Sequence, residues 1–265
     1  MKVSKKRFGQ NFLIDIRKAD RMVNEAEISD NDQVLEIGPG RGILTERILN
    51  AGANLTAVEI DRDLIPLLSE RFGDNERFNL LESDIVKVDL KALGPKNLKI
   101  IANLPYNISG ALFDWLIDNH ALINMAIITV QKEVADRIRS DPGSRDFGSL
   151  SVLIQMFYNV TRLFDISPGC FSPKPKVVST VVKMIPMLSL DNDIDFTRFK
   201  SFVHACFAQK RKTLVNSLSS SGNYDKARIE ESLVSLGKNT DIRAEQVSGR
   251  EFQFLFREIA DNAQA

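Results

Sequence analysis

Short apolar runs alternate with amphipathic stretches along the chain from residue 33 to about residue 185. The runs are rich in β-branched residues and have the length of buried strands, whereas the stretches between them show helical periodicity. The predicted strands cover residues 33–37, 55–60, 78–81, 98–102, 126–130, 159–164 and 177–184. This alternation is typical of βαβ units, so the sequence predicts an α/β fold with a doubly wound, mostly parallel sheet of seven strands.

The last two predicted strands are joined differently from the others. A proline-rich segment, S-P-G-C-F-S-P-K-P-K, separates them in place of a long helix. We therefore expect these two strands to pair antiparallel at an edge of the sheet.

The pattern becomes helical after the polar residues 191–193, which predict a linker. Ser248 and Glu251 have the spacing of a capping box, and apolar residues follow them at helical spacing. Those apolar residues are Phe252, Leu255, Phe256 and Ile259. We therefore predict two domains, a larger one over residues 1–190 and a small all-helical one over residues 191–265.

Charge is unevenly distributed along a chain whose 35 basic and 35 acidic residues cancel. Residues 1–21 hold seven bases against two acids, and residues 198–212 hold five bases and no acid. Residues 59–91 hold nine acids against five bases. Local basic clusters of this kind are typical of a phosphate-binding surface. The alternative is that they are ordinary solvent-exposed charges with no ligand.

Composition excludes several classes of protein. Two cysteines, Cys170 and Cys206, are too few for a disulfide framework, and the two histidines have no ligand at metal-binding spacing, so we expect no metal. The longest apolar stretch, residues 121–130, is far shorter than the roughly 18 residues that span a bilayer. The amino terminus lacks the apolar core of a secretory signal, so we expect a cytoplasmic protein with no membrane partner.

A glycine-rich turn follows the first predicted strand in V-L-E-I-G-P-G-R-G-I-L. The third glycine, Gly42, comes one residue too early for a dinucleotide site after Gly38 and Gly40. The pattern resembles the first motif of class I S-adenosylmethionine methyltransferases. Glu59 ends the next strand, where it can accept hydrogen bonds from ribose hydroxyls, and Asp84 ends the third, where it can accept from an adenine amine. A turn without a ligand and a nicotinamide site are the alternatives.

The sequence N-L-P-Y at residues 103–106 comes directly after the fourth predicted strand. Adenine N6 is a poor nucleophile because its lone pair is delocalised into the ring. The side-chain oxygen of Asn103 and the backbone carbonyl of Leu104 can accept the two amine hydrogens and favour a pyramidal nitrogen. Pro105 would hold the turn and Tyr106 would stack on the base. A loop tyrosine beside a turn proline is the alternative.

The whole sequence resembles the ribosomal RNA adenine N6-dimethyltransferases, and most closely the bacterial type that modifies small-subunit 16S rRNA. Besides the two motifs above, the resemblance covers K-R-F-G-Q-N-F-L, Q-K-E-V-A-D-R-I, F-S-P-K-P-K-V-V-S, Q-K-R-K-T-L-V-N-S-L and R-A-E-Q-V-S. It implies a Rossmann-like class I methyltransferase fold with a small helical domain at the carboxyl end.

The resemblance also implies roles for individual residues. Gln10 and Asn11 would contact the cofactor, S-adenosylmethionine, while Glu59 would bind its ribose and Asp84 its adenine. Residues 103–106 would carry out methyl transfer. Phe171 would stack on the target base opposite Tyr106, with a core aromatic as the alternative.

The implied reaction is dimethylation of the N6 amine of two adjacent adenosines in the 3′-terminal hairpin of 16S rRNA. The partner would be the 30S subunit or its precursor, bound by a monomer. Residues 209–212 together with Lys5, Lys6 and Arg7 are candidates for phosphate contacts, with ordinary surface charge as the alternative. Two other functions stay open: a 23S rRNA adenine methylase of the macrolide-resistance type, and a ribosome-assembly or transcription factor that binds without needing catalysis.

Overall fold

The structure is a computed structural model that describes residues 10–93, 97–104, 109–187 and 194–261. Contacts between residues divide these into two compact units. The sheet unit comprises residues 10–135 and 158–186, and the helical unit comprises residues 136–157 and 187–261.

A seven-stranded sheet forms the sheet unit, with strand order β4-β3-β2-β5-β6-β9-β7. The seven strands are β2 (Gln33–Ile37), β3 (Asn54–Glu59), β4 (Phe78–Glu82), β5 (Leu98–Asn103), β6 (Ile123–Gln131), β7 (Tyr158–Ile166) and β9 (Ser179–Pro186). Two further short strands, β1 (Phe12–Leu13) and β8 (Phe171–Ser172), pair with each other in a separate antiparallel sheet. Every pairing from β4 to β6 is parallel, and β9 is antiparallel to both β6 and β7. The predicted doubly wound sheet and its antiparallel edge are confirmed.

The central strands β2 and β5 lie side by side, and each contains a pair of consecutive buried apolar residues. Val34 and Leu35 on β2 and Ile100 and Ile101 on β5 are 0–1% exposed, as expected for strands covered on both faces. The chain runs outward from β2 through β3 to β4, and from β5 to β6 in the other direction. The carboxyl ends of β2 and β5 therefore flank the switch point where doubly wound sheets bind ligands.

The helices are α1 (Ile16–Glu25), α2 (Ile43–Asn50), α3 (Ile65–Phe72), α4 (Ser109–Asp118), α5 (Lys132–Ile138), α6 (Ser149–Phe157), α7 (Phe196–Phe207), α8 (Leu214–Ser219), α9 (Lys226–Ser235) and α10 (Gly249–Phe256). The amphipathic helix α1 begins after Asp15, whose carboxylate accepts a hydrogen bond from the Lys18 amide at 3.2 Å. Its buried residues Met22 and Val23 pack with Ile48 of α2 in the main apolar cluster of the sheet unit. The two helices thereby cover one face of the sheet.

Aromatic side chains fill the helical unit. The rings of Phe199 and Phe202 on α7 meet Phe256 on α10 nearly edge to face, with centroids 5.4 and 5.6 Å apart. The predicted capping box is present, because the Ser248 hydroxyl accepts from the Glu251 amide and the Glu251 carboxylate accepts from the Ser248 amide. Helix α6 packs on α7 and α10, so residues 136–157 group with the carboxyl-terminal helices. The predicted linker at residues 191–193 lies outside the described residues.

Candidate active site

A pocket opens beyond the carboxyl ends of β2, β3, β4 and β5. It collects most of the site residues predicted from the sequence: Gln10, Asn11, Gly38, Gly40, Glu59, Asp84, Asn103 and Leu104. These residues come from five separate stretches of the chain. Parallel pairing of the strands brings them together, because the strands end at the same edge of the sheet.

The turn between β2 and α2 requires glycine for two reasons, its left-handed backbone conformation and the atoms packed close to it. Gly38, Gly40 and Gly42 have φ angles of +66°, +60° and +82°, a region that side chains with a Cβ rarely adopt. A Cβ on Gly40 would lie 2.9 Å from a ring carbon of Phe12. The early third glycine, Gly42, is the left-handed residue from which α2 begins.

The Glu59 carboxylate is fixed at the pocket wall by three backbone amides. One oxygen, Oε2, accepts from the Gly40 amide at 3.0 Å. The other, Oε1, accepts from Ile60 at 3.0 Å and from Asp61 at 2.9 Å. Burial raises the pKa of Glu59, and the three amides oppose that shift. A carboxylate has about four lone-pair sites, so Glu59 can still accept a hydroxyl.

Asp84 lies one strand further along the same edge. Its carboxylate accepts from the Val86 amide at 3.3 Å and begins the short 3₁₀ turn Ile85–Lys87. The preceding Ser83 amide donates to the Glu59 carbonyl at 3.0 Å, which ties the end of β4 to the end of β3. The two predicted nucleoside acceptors therefore stand on adjacent strand ends.

Asn103 ends β5 and contacts the amino-terminal segment. Its Nδ2 donates to the Asn11 carbonyl oxygen at 3.4 Å, and no donor among the described residues is bonded to its Oδ1. Leu104 follows it in the pocket lining. Pro105 and Tyr106 lie outside the described residues.

Phe171 is placed away from the pocket lining. It lies on β8, pairs with Leu13 of β1, and is only 4% exposed within the main apolar cluster. A ring so buried cannot stack on a base without moving. The structure therefore shows the core position that the sequence left open as an alternative, and the stacking role stays a prediction.

Glu36 lies outside the pocket lining and is a buried acid that the sequence analysis did not select. It is 1% exposed on β2, and its Oε2 accepts from the Thr45 hydroxyl at 2.6 Å. Within the described chain its Oε1 has no hydrogen-bond partner. Burial raises the pKa of Glu36 to about 8, with a smaller contribution from the nearby Glu59 charge. The signal was available, since an acid interrupts the apolar strand V-L-E-I.

A model of the ribosomal RNA adenine dimethylase family matches residues 1–260 of this chain. The chain belongs to the ribosomal RNA adenine dimethylase family. It is an S-adenosylmethionine-dependent rRNA adenine dimethyltransferase, as the resemblance implied.

Relatives of the dimethylase align over nearly the whole chain. Proteins called ribosomal RNA small subunit methyltransferase A from Pseudomonas fluorescens Pf-5 and Acidobacterium capsulatum are each 40% identical to it. The alignments cover 97% and 98% of this chain and 94% and 92% of theirs.

Solved structures agree with the fold of the dimethylase. A dimethyladenosine transferase from Plasmodium falciparum superposes with a TM-score of 0.81 at 27% identity, covering 93% of this chain and 96% of that one. The 23S rRNA methyltransferase ErmE superposes with a TM-score of 0.69 at 24% identity, covering 94% and 99%, and shows the fold alone.

The residues of the pocket fit S-adenosylmethionine. The glycine turn brings backbone close to the ligand space, and Glu59 and Asp84 offer acceptors to a ribose and an adenine amine. Asn103 lies in the same pocket lining as Glu59 and Asp84. No group of three or more metal-ligating side chains occurs among the described residues. Within those residues, no helix is both long and apolar enough to cross a bilayer.

Proposed function

We propose that this dimethylase acts on the N6 amines of two adjacent adenosines in the 3′-terminal hairpin of 16S rRNA, within the 30S subunit or its precursor. One observation carries the proposal: the Asn103 amide lies in the pocket of Glu59 and Asp84 with its Nδ2 already bonded to the Asn11 carbonyl. The small-subunit relatives at 40% identity support the choice of RNA.

Asn103 and Leu104 prepare the adenine amine. The Asn103 Oδ1 and the Leu104 carbonyl accept the N6 hydrogens, so the nitrogen becomes pyramidal and its lone pair leaves conjugation with the ring. S-adenosylmethionine, when bound, supplies the methyl group. The N6 lone pair would form the new bond to the methyl carbon as the carbon–sulfur bond breaks, and S-adenosylhomocysteine would leave as the neutral thioether. The cationic nitrogen would then release its proton to water. A strong general base is therefore unnecessary.

Pro105 and Tyr106 complete this proposal as the turn and the stacking platform, on sequence grounds alone. An exocyclic amine can be reached only after its base leaves the stack, which costs least in single-stranded loops. The hairpin location of the two adenosines meets that requirement. Phe171 can stack on the target base only if its ring leaves the core when the rRNA binds.

A basic cavity in the helical unit supports the predicted phosphate contacts. Its volume is about 610 Å³, and its walls include Arg137, Arg145, Lys210 and Lys212. The lining holds four cations against two acids, Asp146 and Glu245. The excess of positive charge suits a phosphate backbone, whose binding positions RNA without reading its sequence. We propose that residues 209–212 hold the rRNA here. The candidates Lys5, Lys6 and Arg7 lie outside the described residues.

The deciding experiment offers the enzyme a choice of RNA. Undermethylated 30S particles and 50S precursors are incubated separately with enzyme and methyl-labelled S-adenosylmethionine, and the nucleosides are identified by mass spectrometry. We expect N6,N6-dimethyladenosine in the 3′ hairpin of 16S rRNA. Label in 23S rRNA would favour the macrolide-resistance type, and binding of 30S particles without label would favour an assembly factor. Size-exclusion chromatography with light scattering tests the proposed monomer, and assays in the presence of EDTA test the proposed independence from metal.

A further inference from the structure

Arg41 occupies the centre of the glycine turn G-P-G-R-G and lines the cofactor pocket. Among the described residues of that lining, it carries the one positive charge, whereas Glu59 and Asp84 are acidic. The pocket is therefore electrically divided, with its acids at the ends of β3 and β4 and its cation at the turn after β2.

The guanidinium of Arg41 is held by an aromatic ring. It lies 4.8 Å from the centroid of the Phe12 ring, which itself packs closely over Gly40. In the part of the chain that the structure describes, no carboxylate forms an ion pair with Arg41. Arg41 is exposed, so the Phe12 ring holds the guanidinium at the pocket wall while its charge is left for a ligand.

Helix α2 adds to the positive character of this side of the pocket. Its cap residue, Gly42, offers no side chain to the amides of the first turn. Two residues of that turn, Ile43 and Leu44, line the pocket. A helix start without a side-chain cap favours an anion nearby.

We propose that Arg41 binds the carboxylate of the methionine moiety of S-adenosylmethionine. The inference rests on the assignment of this pocket to that cofactor. The nucleoside half of the cofactor presents hydroxyl and amine donors, which match Glu59 and Asp84. Its amino-acid half carries a carboxylate, and Arg41 is the side chain whose charge and fork of donors match it. Arg41 thereby selects a cofactor that retains its amino-acid tail.

Two ligands distinguish this role of Arg41 from the alternatives, which are support of the Phe12 ring and contact with RNA phosphate. S-adenosylhomocysteine carries the carboxylate, and 5′-methylthioadenosine has the same nucleoside without the amino-acid tail. Their dissociation constants are measured by calorimetry for the wild type, Arg41→Ala and Arg41→Lys. The charge-matched control is Arg17→Ala, because the Arg17 side chain is 92% exposed and outside the pocket lining.

We expect Arg41→Ala to weaken the binding of S-adenosylhomocysteine by about 10-fold to 100-fold, which is the range for loss of a charge-assisted hydrogen bond. The dissociation constant of Arg41→Ala for 5′-methylthioadenosine should stay within about twofold of the wild-type value. The dissociation constant of Arg41→Lys for S-adenosylhomocysteine should lie between those of the wild type and Arg41→Ala. Lysine keeps the positive charge but lacks the paired N–H donors of the guanidinium. Arg17→Ala should match the wild type for both ligands.

Three results would overturn the inference. Equal weakening of both ligands would mean that Arg41 only supports the Phe12 stack. Unchanged binding of both ligands together with a raised KM for 30S particles would place Arg41 on RNA phosphate. Failure of the wild type to bind S-adenosylhomocysteine would remove the cofactor assignment itself, which is a separate failure. Melting temperatures of the ligand-free variants confirm that each is folded.

Discussion

Asn103 and Asn11, 92 residues apart in sequence, are joined by a hydrogen bond from the Nδ2 of Asn103 to the carbonyl oxygen of Asn11. An amide held by its nitrogen presents its oxygen on the other side, so this contact orients the oxygen that we propose as the acceptor for the adenine amine. The amino-terminal segment lines the pocket and also positions the side chain to which we assign that role.

Replacing Asn103 tests that arrangement. Asn103→Ala removes the acceptor for the N6 hydrogens, and we expect kcat to fall by about 10²-fold to 10³-fold. Binding of 30S particles, measured by sedimentation, should change little, because we assign the phosphate contacts that dominate RNA affinity to the basic cavity of the helical unit. Persistent turnover would show that Asn103 does not prepare the amine.

Asn103→Asp separates the acceptor from its orientation. The variant keeps an oxygen for the amine, but at neutral pH it has no donor for the Asn11 carbonyl. We expect single-turnover rates between those of the wild type and Asn103→Ala. A rate equal to that of the wild type would mean that the Asn11 contact is dispensable.

Gly40→Ala tests the close approach of Phe12. The new Cβ would meet the Phe12 ring at 2.9 Å in a left-handed conformation, so we expect a loss of about 1–3 kcal/mol in the free energy of unfolding. Gly143→Ala is the matched control, because Gly143 has φ +86° and no atom within 4 Å of the added Cβ. Equal losses in urea titrations of the two variants would show that backbone strain alone is responsible.

Glu36 predicts a pH dependence of stability. Its pKa is raised by burial from 4.5 to about 8 in the folded enzyme, so the folded state holds a proton that the unfolded state releases. The stabilisation is complete below the unfolded pKa. Between pH 4.5 and about 8 the free energy of unfolding should lose up to about 1.4 kcal/mol per pH unit from this group.

Glu36→Gln isolates that contribution, because glutamine is similar in shape and does not titrate. In urea titrations the variant should gain stability relative to the wild type as the pH rises towards 8, and the difference should then level off. A difference that is constant from pH 5 to pH 9 would contradict a protonated Glu36.

The basic cavity of the helical unit predicts a salt effect. Replacing Lys210 and Lys212 with alanine should weaken binding of 30S particles and reduce the slope of log affinity against log salt concentration by about one per lost contact. Lys226→Ala is the control, since the Lys226 side chain is 62% exposed and outside the cavity lining. An unchanged slope in the double variant would remove residues 209–212 from the RNA interface.

Local features of the chain were predictable because their causes are local. The strand β2 coincides with the predicted residues 33–37, because a short apolar run between polar turns most often forms a buried strand. The capping box at Ser248 was also predictable from the sequence, because both of its hydrogen bonds join residues only three positions apart. Gly40 and Glu59 were selected by motif and spacing, and the structure joins them by a hydrogen bond.

By itself, the sequence determined the succession along the chain of the seven strands of the large sheet, the glycine turn and the family to which the enzyme belongs. Tertiary structure alone decided that Phe171 lies in the core, that Arg41 stacks on Phe12, and that residues 136–157 pack with the carboxyl-terminal helices. The physical reason is that these contacts join distant parts of the chain. They depend on strand order and close packing, which hydrophobic periodicity does not encode.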